Sequence, residues 1–280
     1  MNQAELKETA LFAARMRKNI IEEVYAAQSG HPGGSLSCTD LLALLYLKIM
    51  KVDPRKPKDP QRDRFVLSKG HCAPALYAAL AQRGFFPEAD LKGFRSADSY
   101  LQGHPSMKQV PGVDMSTGSL GQGISASVGM ALAGKLDRAD YHVYTLLGDG
   151  ELQEGQVWEA LMAGAHYKLD NLCAFIDHNG LQIDGPITKV MSPESVTAKL
   201  QAFNWHVLEV DGHDLNALET AIAEAKACKG APTAVVMNTH KGRGVSFMED
   251  QAGWHGAAPK KEQYEVAVAE LDAAIAALEV

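Results

Sequence analysis

Apolar positions recur at helical spacing from Leu6 to about Ala27, and the run stops at Ser29-Gly30-His31-Pro32-Gly33-Gly34, a segment dense in helix breakers. A second helical pattern covers Thr39 to Met50. The period then changes. Short, nearly continuous apolar runs at Tyr141–Leu147, Leu172–Ile176, Trp205–Val210 and Thr233–Asn238 read as strands buried in a parallel sheet, with helix-compatible stretches between them. Phe65–Leu67 is strand-like too, and the alanine-rich amphipathic stretch from Lys260 predicts a final helix. The alternation predicts an α/β fold of three layers, α/β/α, around a mainly parallel, doubly wound sheet. Pro54-Arg55-Lys56-Pro57-Lys58-Asp59-Pro60 reads as a charged surface loop, and residues 1–280 fit a single domain.

Composition narrows the classes of function. With 46% hydrophobic and 22% charged residues, the chain has enough apolar surface to order itself. A formal net charge of -7 excludes a general nucleic-acid binder, because neutralising phosphates needs a basic field. No run approaches the roughly 20 apolar residues of a membrane span, and the mixed charges of the N-terminus read as an amphipathic helix rather than a signal peptide. Cys38, Cys72, Cys173 and Cys228 form no CxxC pair, so neither zinc nor a disulfide framework is indicated. A reducing, cytoplasmic setting is expected.

In a doubly wound sheet the ligand sits beyond the carboxyl ends of the strands. Gly148-Asp149-Gly150 directly follows one predicted strand, and Asp177-His178-Asn179-Gly180 ends the next. Alone, a GDG is more often only a turn. If the two strands are neighbours, one hard cation can bridge the Asp149 carboxylate, the Asn179 amide oxygen and a backbone carbonyl near Leu181, leaving positions for a diphosphate.

The GDG at 148–150 and Asn179, just under thirty residues on, resemble the motif of thiamine diphosphate enzymes. The segment GDGELQEGQVWEALMAGAHYKLDNLCAFIDHNGLQIDG is close to the transketolase form of it. That resemblance extends from SGHPGG at 29–34 through SKGH at 68–71, GHP at 103–105 and TGSLGQG at 117–123 to WHG at 254–256, with Ser119 where the family usually has proline. It implies the diphosphate-binding domain of the thiamine diphosphate fold. Mg²⁺, or another divalent cation such as Ca²⁺ or Mn²⁺, would be held by Asp149, Asn179 and the carbonyl of Leu181. The cofactor would be contacted by His71, Ser119, Leu120, Gly121, Gly148, Asp149, Gly150, Glu154, Asn179 and His255.

The same resemblance makes His31, His71, His104 and His255 the catalytic candidates. A lone loop histidine is usually just solvated, but four in family loops suit ketol transfer, which moves protons on sugar hydroxyls near neutral pH. His240-Lys241-Gly242-Arg243-Gly244-Val245 reads either as an anion-binding loop at the cleft edge or as a flexible basic surface loop. Lys241 and Arg243 therefore stay outside the catalytic set.

Thiamine diphosphate becomes a carbanion donor when an acid hydrogen-bonds its aminopyrimidine ring. In transketolases that acid belongs to a pyrimidine-binding domain, which follows this one and has no counterpart within these residues. Glu154 resembles the family glutamate at the subunit contact. The expectation is an N-terminal transketolase subunit, complete from Met1, that transfers two-carbon ketol units between sugar phosphates. It would act with a C-terminal partner subunit carrying the pyrimidine domain, as an α2β2 heterotetramer. The rivals are a subunit of deoxyxylulose-phosphate synthase or of a 2-oxo-acid dehydrogenase, and an inactive cofactor-binding scaffold.

Overall fold

A computed structural model describes all 280 residues. Helix α1 (Gln3–Ala27) starts at Asn2, whose side chain accepts the Glu5 amide while Glu5 reaches back to the Asn2 amide, both at 2.9 Å. Pro32 opens α2 (Pro32–Ser37), where its missing amide costs no hydrogen bond. Helix α3 (Thr39–Leu44) then widens into a π turn at Leu45–Ile49, so the helical stretch expected from Thr39 to Met50 is regular only in its first half.

The chain continues through β1 (Arg64–Leu67), α4 (Ala73–Arg83), α5 (Gln122–Leu136), β2 (Val143–Gly148), α6 (Gly155–His166) and β3 (Leu172–His178). A small antiparallel hairpin, β4 (Leu181–Gln182) with β5 (Gly185–Pro186), leads to α7 (Ile187–Val190) and α8 (Val196–Ala202). Strand β6 (His206–Asp211), α9 (Leu215–Ala227), β7 (Thr233–Asn238) and α10 (Lys261–Glu279) complete it. No helix is long and apolar enough to cross a membrane.

Each predicted strand exists within two residues of its expected ends, and all five pair in parallel in the order β1-β2-β3-β7-β6. Successive side chains point to opposite faces. Tyr144, Leu146, Phe175, Val235 and Met237 meet α1, α3, α4, α9 and α10, whereas Val143, Leu147, Ala174, Ile176 and Val236 meet α5, α6 and α8. These two cores make the outer layers necessary. Phe175 is 0% exposed, so truncating it to alanine would cost about 3–5 kcal/mol. One expectation fails: β6 is an edge strand with Glu209 and Asp211 exposed and its apolar residues only half-buried, whereas the other edge strand, β1, keeps Phe65, Val66 and Leu67 buried.

The chain lays down β1, β2 and β3 in order, jumps to the far edge, and returns from β6 to β7. The strand order therefore reverses between β3 and β7. Such a reversal splays the flanking connections apart and opens a crevice at the carboxyl ends.

Candidate cofactor and active site

A cleft of about 350 Å³ occupies that crevice. Its floor is built from the ends of β2, β3 and β7 around the fully buried carboxylate of Asp177. Asp177 accepts hydrogen bonds from Lys69 after β1, Ser37 in α2, Thr239 after β7 and Asn179. Burial pushes its carboxyl upward, but Lys69 and the two hydroxyls outweigh that and hold it below the usual carboxylate range. Removing one partner of such a buried pair costs about 3–5 kcal/mol, because the other charge is left uncompensated.

Beside Asp177 the pairing of β2 with β3 places Gly148 opposite Asp177, and this brings the GDG turn next to Asn179. Asp149, 2% exposed, accepts the amide of Gly150 at 2.7 Å and that of Gly180 at 2.6 Å. Burial, then the neighbouring Asp177, raises its carboxyl to about 6 despite those two amides. Gly180 has φ +74°, which lets the chain turn sharply from β3 into the hairpin that fixes Leu181. The Asn179 side-chain oxygen accepts the Leu181 amide at 3.1 Å. One carboxylate, one amide oxygen and one carbonyl are thus gathered on one wall, a donor set for a hard cation. No cluster of three His, Cys, Asp or Glu side chains competes for a metal.

Three imidazoles form a second group in the lining, joined to the first through Lys241, whose Nζ lies 3.0 Å from both the Leu181 carbonyl oxygen and Nδ1 of His255. The rings of His31, His71 and His255 lie 5.1, 5.2 and 5.4 Å apart in a triangle. Burial first, and neighbouring cations and imidazoles second, depress His31 and His71 to about 4 and His255 to about 3. All three are neutral at pH 7, able to donate at one nitrogen and accept at the other. The Nδ1 of His31 is buried without a partner.

His104 stands further out, exposed, its ring packed on Gly118. Leu120, Gly148, Gly150 and Glu154 line the cleft, but Ser119 and Gly121 do not. The Gly121 amide is spent on Glu151 at 2.9 Å, and Ser119 is exposed on the outer side of its turn. Glu151 also accepts from Ser68 at 2.6 Å and Gly148 at 3.1 Å, tying β1, β2 and the 117–123 loop together.

Sequence reasoning missed Lys69, Glu151 and Asp177, which carry no signal beyond their places inside or next to the motifs. The basic loop after β7 divides: Arg243 turns outward to Glu249, whereas Lys241 is 3% exposed and lines the cleft. Lys241 is therefore a cation facing the wall of Asp149, Asn179 and Leu181, suited to a diphosphate.

The family described as "Transketolase, thiamine diphosphate binding domain" matches residues 9–273. One of the subunits of the apulose-4-phosphate transketolase of Phocaeicola vulgatus is 47% identical over 269 residues, covering 96% of this chain and 95% of that protein. The 6-deoxy-6-sulfo-D-fructose transketolase subunit SqwG of a Clostridium species is 46% identical over 257 residues, covering 92% and 94%. Human transketolase is 44% identical over 267 residues, which are 95% of this chain and 42% of that one. Among solved structures, transketolase from Campylobacter jejuni superposes with a TM-score of 0.88 at 31% identity, over 99% of this chain and 46% of that one. This chain thus spans under half of the single-chain relatives and nearly all of the two subunits, and it belongs to the transketolase family as a thiamine diphosphate-binding domain.

Proposed function

We propose that this chain is the cofactor-holding subunit of a two-subunit transketolase, moving two-carbon ketol units from a ketose to an aldose in the cytoplasm. The observation that carries the reading is one cleft with two chemically distinct walls: oxygen donors of Asp149, Asn179 and Leu181 on one, three neutral imidazoles on the other, and Lys241 between them.

Each wall suits a different part of the reaction. Asp149, the Asn179 amide and the Leu181 carbonyl would hold Mg²⁺, or Ca²⁺ or Mn²⁺ in its place, and Lys241 would neutralise the diphosphate. Thiamine diphosphate, when bound, supplies the carbanion that carries the two-carbon unit. His31, His71 and His255 hold sugar hydroxyls and shuttle their protons, with His104 at the cleft mouth. The activating acid is assigned to a partner subunit bearing the pyrimidine-binding domain, in a heterotetramer of two copies each. The two relatives named as subunits of two different sugar transketolases support the split arrangement and the reaction type.

The test is a titration of thiamine diphosphate and Mg²⁺ into the chain alone and with the polypeptide encoded next to it. Two-carbon transfer is followed from xylulose 5-phosphate, then from other ketose donors. Turnover only in the mixture, abolished by Asp149→Ala, is the expected result. Turnover by the chain alone would overturn the split-site reading, and failure of the chain to bind the cofactor even with the partner would overturn the function.

A further inference from the structure

Lys241 reaches the cleft from a four-residue turn, His240–Arg243, whose backbone is held from outside the cleft at every residue. The His240 amide donates to Nε2 of His213 at 2.9 Å, and the Lys241 carbonyl accepts the Asp250 amide at 2.8 Å. The Gly242 amide donates to the Gly33 carbonyl at 2.9 Å, and the Arg243 carbonyl accepts Nε of Arg17 at 3.2 Å. Gly242 has φ +81°, and a Cβ there would strike the backbone of Met248, so the turn has little room to adjust.

Two of these restraints share one anchor. Asp40 in α3 is buried, and its Oδ2 accepts both Nη2 of Arg17 and Nδ1 of His213, the latter at 2.8 Å. A backbone amide can only donate, so Nε2 of His213 carries no proton. The ring hydrogen is therefore on Nδ1, pointed at Asp40. The imidazole acts as a rigid strut from a buried carboxylate to the His240 amide, and the Arg17 guanidinium runs in parallel from the same carboxylate to the Arg243 carbonyl. None of the three side chains lines the cleft.

We propose that His213, Asp40 and Arg17 form a positioning brace that fixes the His240–Arg243 turn and so presents Lys241 to the diphosphate of the cofactor. The inference rests on the reading of the cleft as a thiamine diphosphate site. The brace makes no contact with the ligand. It removes motion from the turn before binding, so less freedom is lost when the anion arrives.

The experiment uses the full chain, saturating Mg²⁺, and two readouts: thiamine diphosphate affinity by calorimetry, and hydrogen exchange of the His240 amide without cofactor. His213→Phe removes both hydrogen bonds, and His213→Gln keeps a donor and an acceptor in a similar spatial relation. The expected result for phenylalanine is about tenfold weaker cofactor binding and at least tenfold faster exchange at His240, with glutamine restoring most of both. Phenylalanine binding within twofold of wild type overturns the proposal, as does weaker binding without faster exchange at His240. Should the phenylalanine variant not fold, Arg17→Lys decides, since it keeps a charge beside Asp40 and loses the bond to Arg243. A threefold or greater loss of affinity is expected there, and unchanged affinity overturns the brace. If the wild-type chain binds no cofactor alone, the affinities are measured with the partner subunit present; no binding there either marks failure of the functional reading itself, and this inference falls with it.

Discussion

The ammonium of Lys241 donates to the carbonyl oxygen of Leu181 at 3.0 Å, the same oxygen that the family pattern gives to the metal. A metal bound there would compete with Lys241 for one acceptor until an anion joins them. A unit charge about 4 Å away acts at about 1 kcal/mol in water and about 4 kcal/mol near a protein surface, so the competition is substantial. Lys241→Met is predicted to bind Mn²⁺ alone about tenfold more tightly and thiamine diphosphate about tenfold less tightly. Paramagnetic titration of Mn²⁺ and calorimetry of the cofactor read the two effects. Both affinities moving in the same direction would show that Lys241 does not stand between metal and diphosphate.

Asp149 is predicted to give the proposed metal site its pH dependence. Its carboxyl titrates at about 6, raised by burial and then by Asp177, and a ligand must shed its proton before it coordinates. Divalent-cation affinity of the isolated chain should be flat above pH 7 and fall about tenfold per unit below pH 6. Asp149→Asn should lose most of the affinity and the slope with it. A wild-type slope absent between pH 5 and 6 would remove Asp149 from the site.

The imidazole triangle sets stability against acid. His31 and His71 titrate at about 4 and His255 at about 3 in the folded chain, against about 6.5 unfolded. Between those values the unfolded chain binds more protons, so stability rises with pH from about 4 to 6.5 and is lost on acidification. The buried carboxyls of Asp149, Glu23, Glu151 and Asp114, all raised chiefly by burial, act in the opposite sense by giving the native chain extra protons, while His104 and His142, lowered by burial, act with the triangle. The melting temperature without cofactor is predicted to drop steadily from pH 7 to 4.5. His71→Gln should melt with a shallower dependence, and a variant profile as steep as that of the wild type would contradict a neutral, buried His71.

The sheet was legible in the sequence because strands buried on both faces write themselves as apolar runs, as Leu172–Ile176 and Thr233–Asn238 do. Strand β6 was legible as a strand but not as an edge, because pairing partners leave no local trace. The wall of Asp149 and Asn179 could be read only because each follows a strand directly. Asp177 and Lys69 could not: their pairing joins positions 108 residues apart, and neither periodicity nor turn chemistry encodes it. Lys241 shows the limit most clearly, since a basic, glycine-rich loop looks solvated until the fold buries one of its two cations and leaves the other outside.

Glu154 offers a test of the proposed partner subunit. It lines the cleft at the start of α6, is exposed, and makes no capping hydrogen bond. Its resemblance to the family glutamate at the subunit contact makes a contact with the partner subunit the prediction to test. Glu154→Gln changes no buried group, so its stability should stay within about 0.5 kcal/mol of wild type, with Mn²⁺ affinity also unchanged. Turnover of the reconstituted mixture should nevertheless fall at least tenfold, with the loss in kcat rather than in KM for the sugar. Removal of a group that helps the partner's acid activate the cofactor acts on every bound sugar equally, whereas a lost sugar contact would raise KM. A variant with normal kcat in the mixture would place the inter-subunit contact elsewhere on the cleft rim.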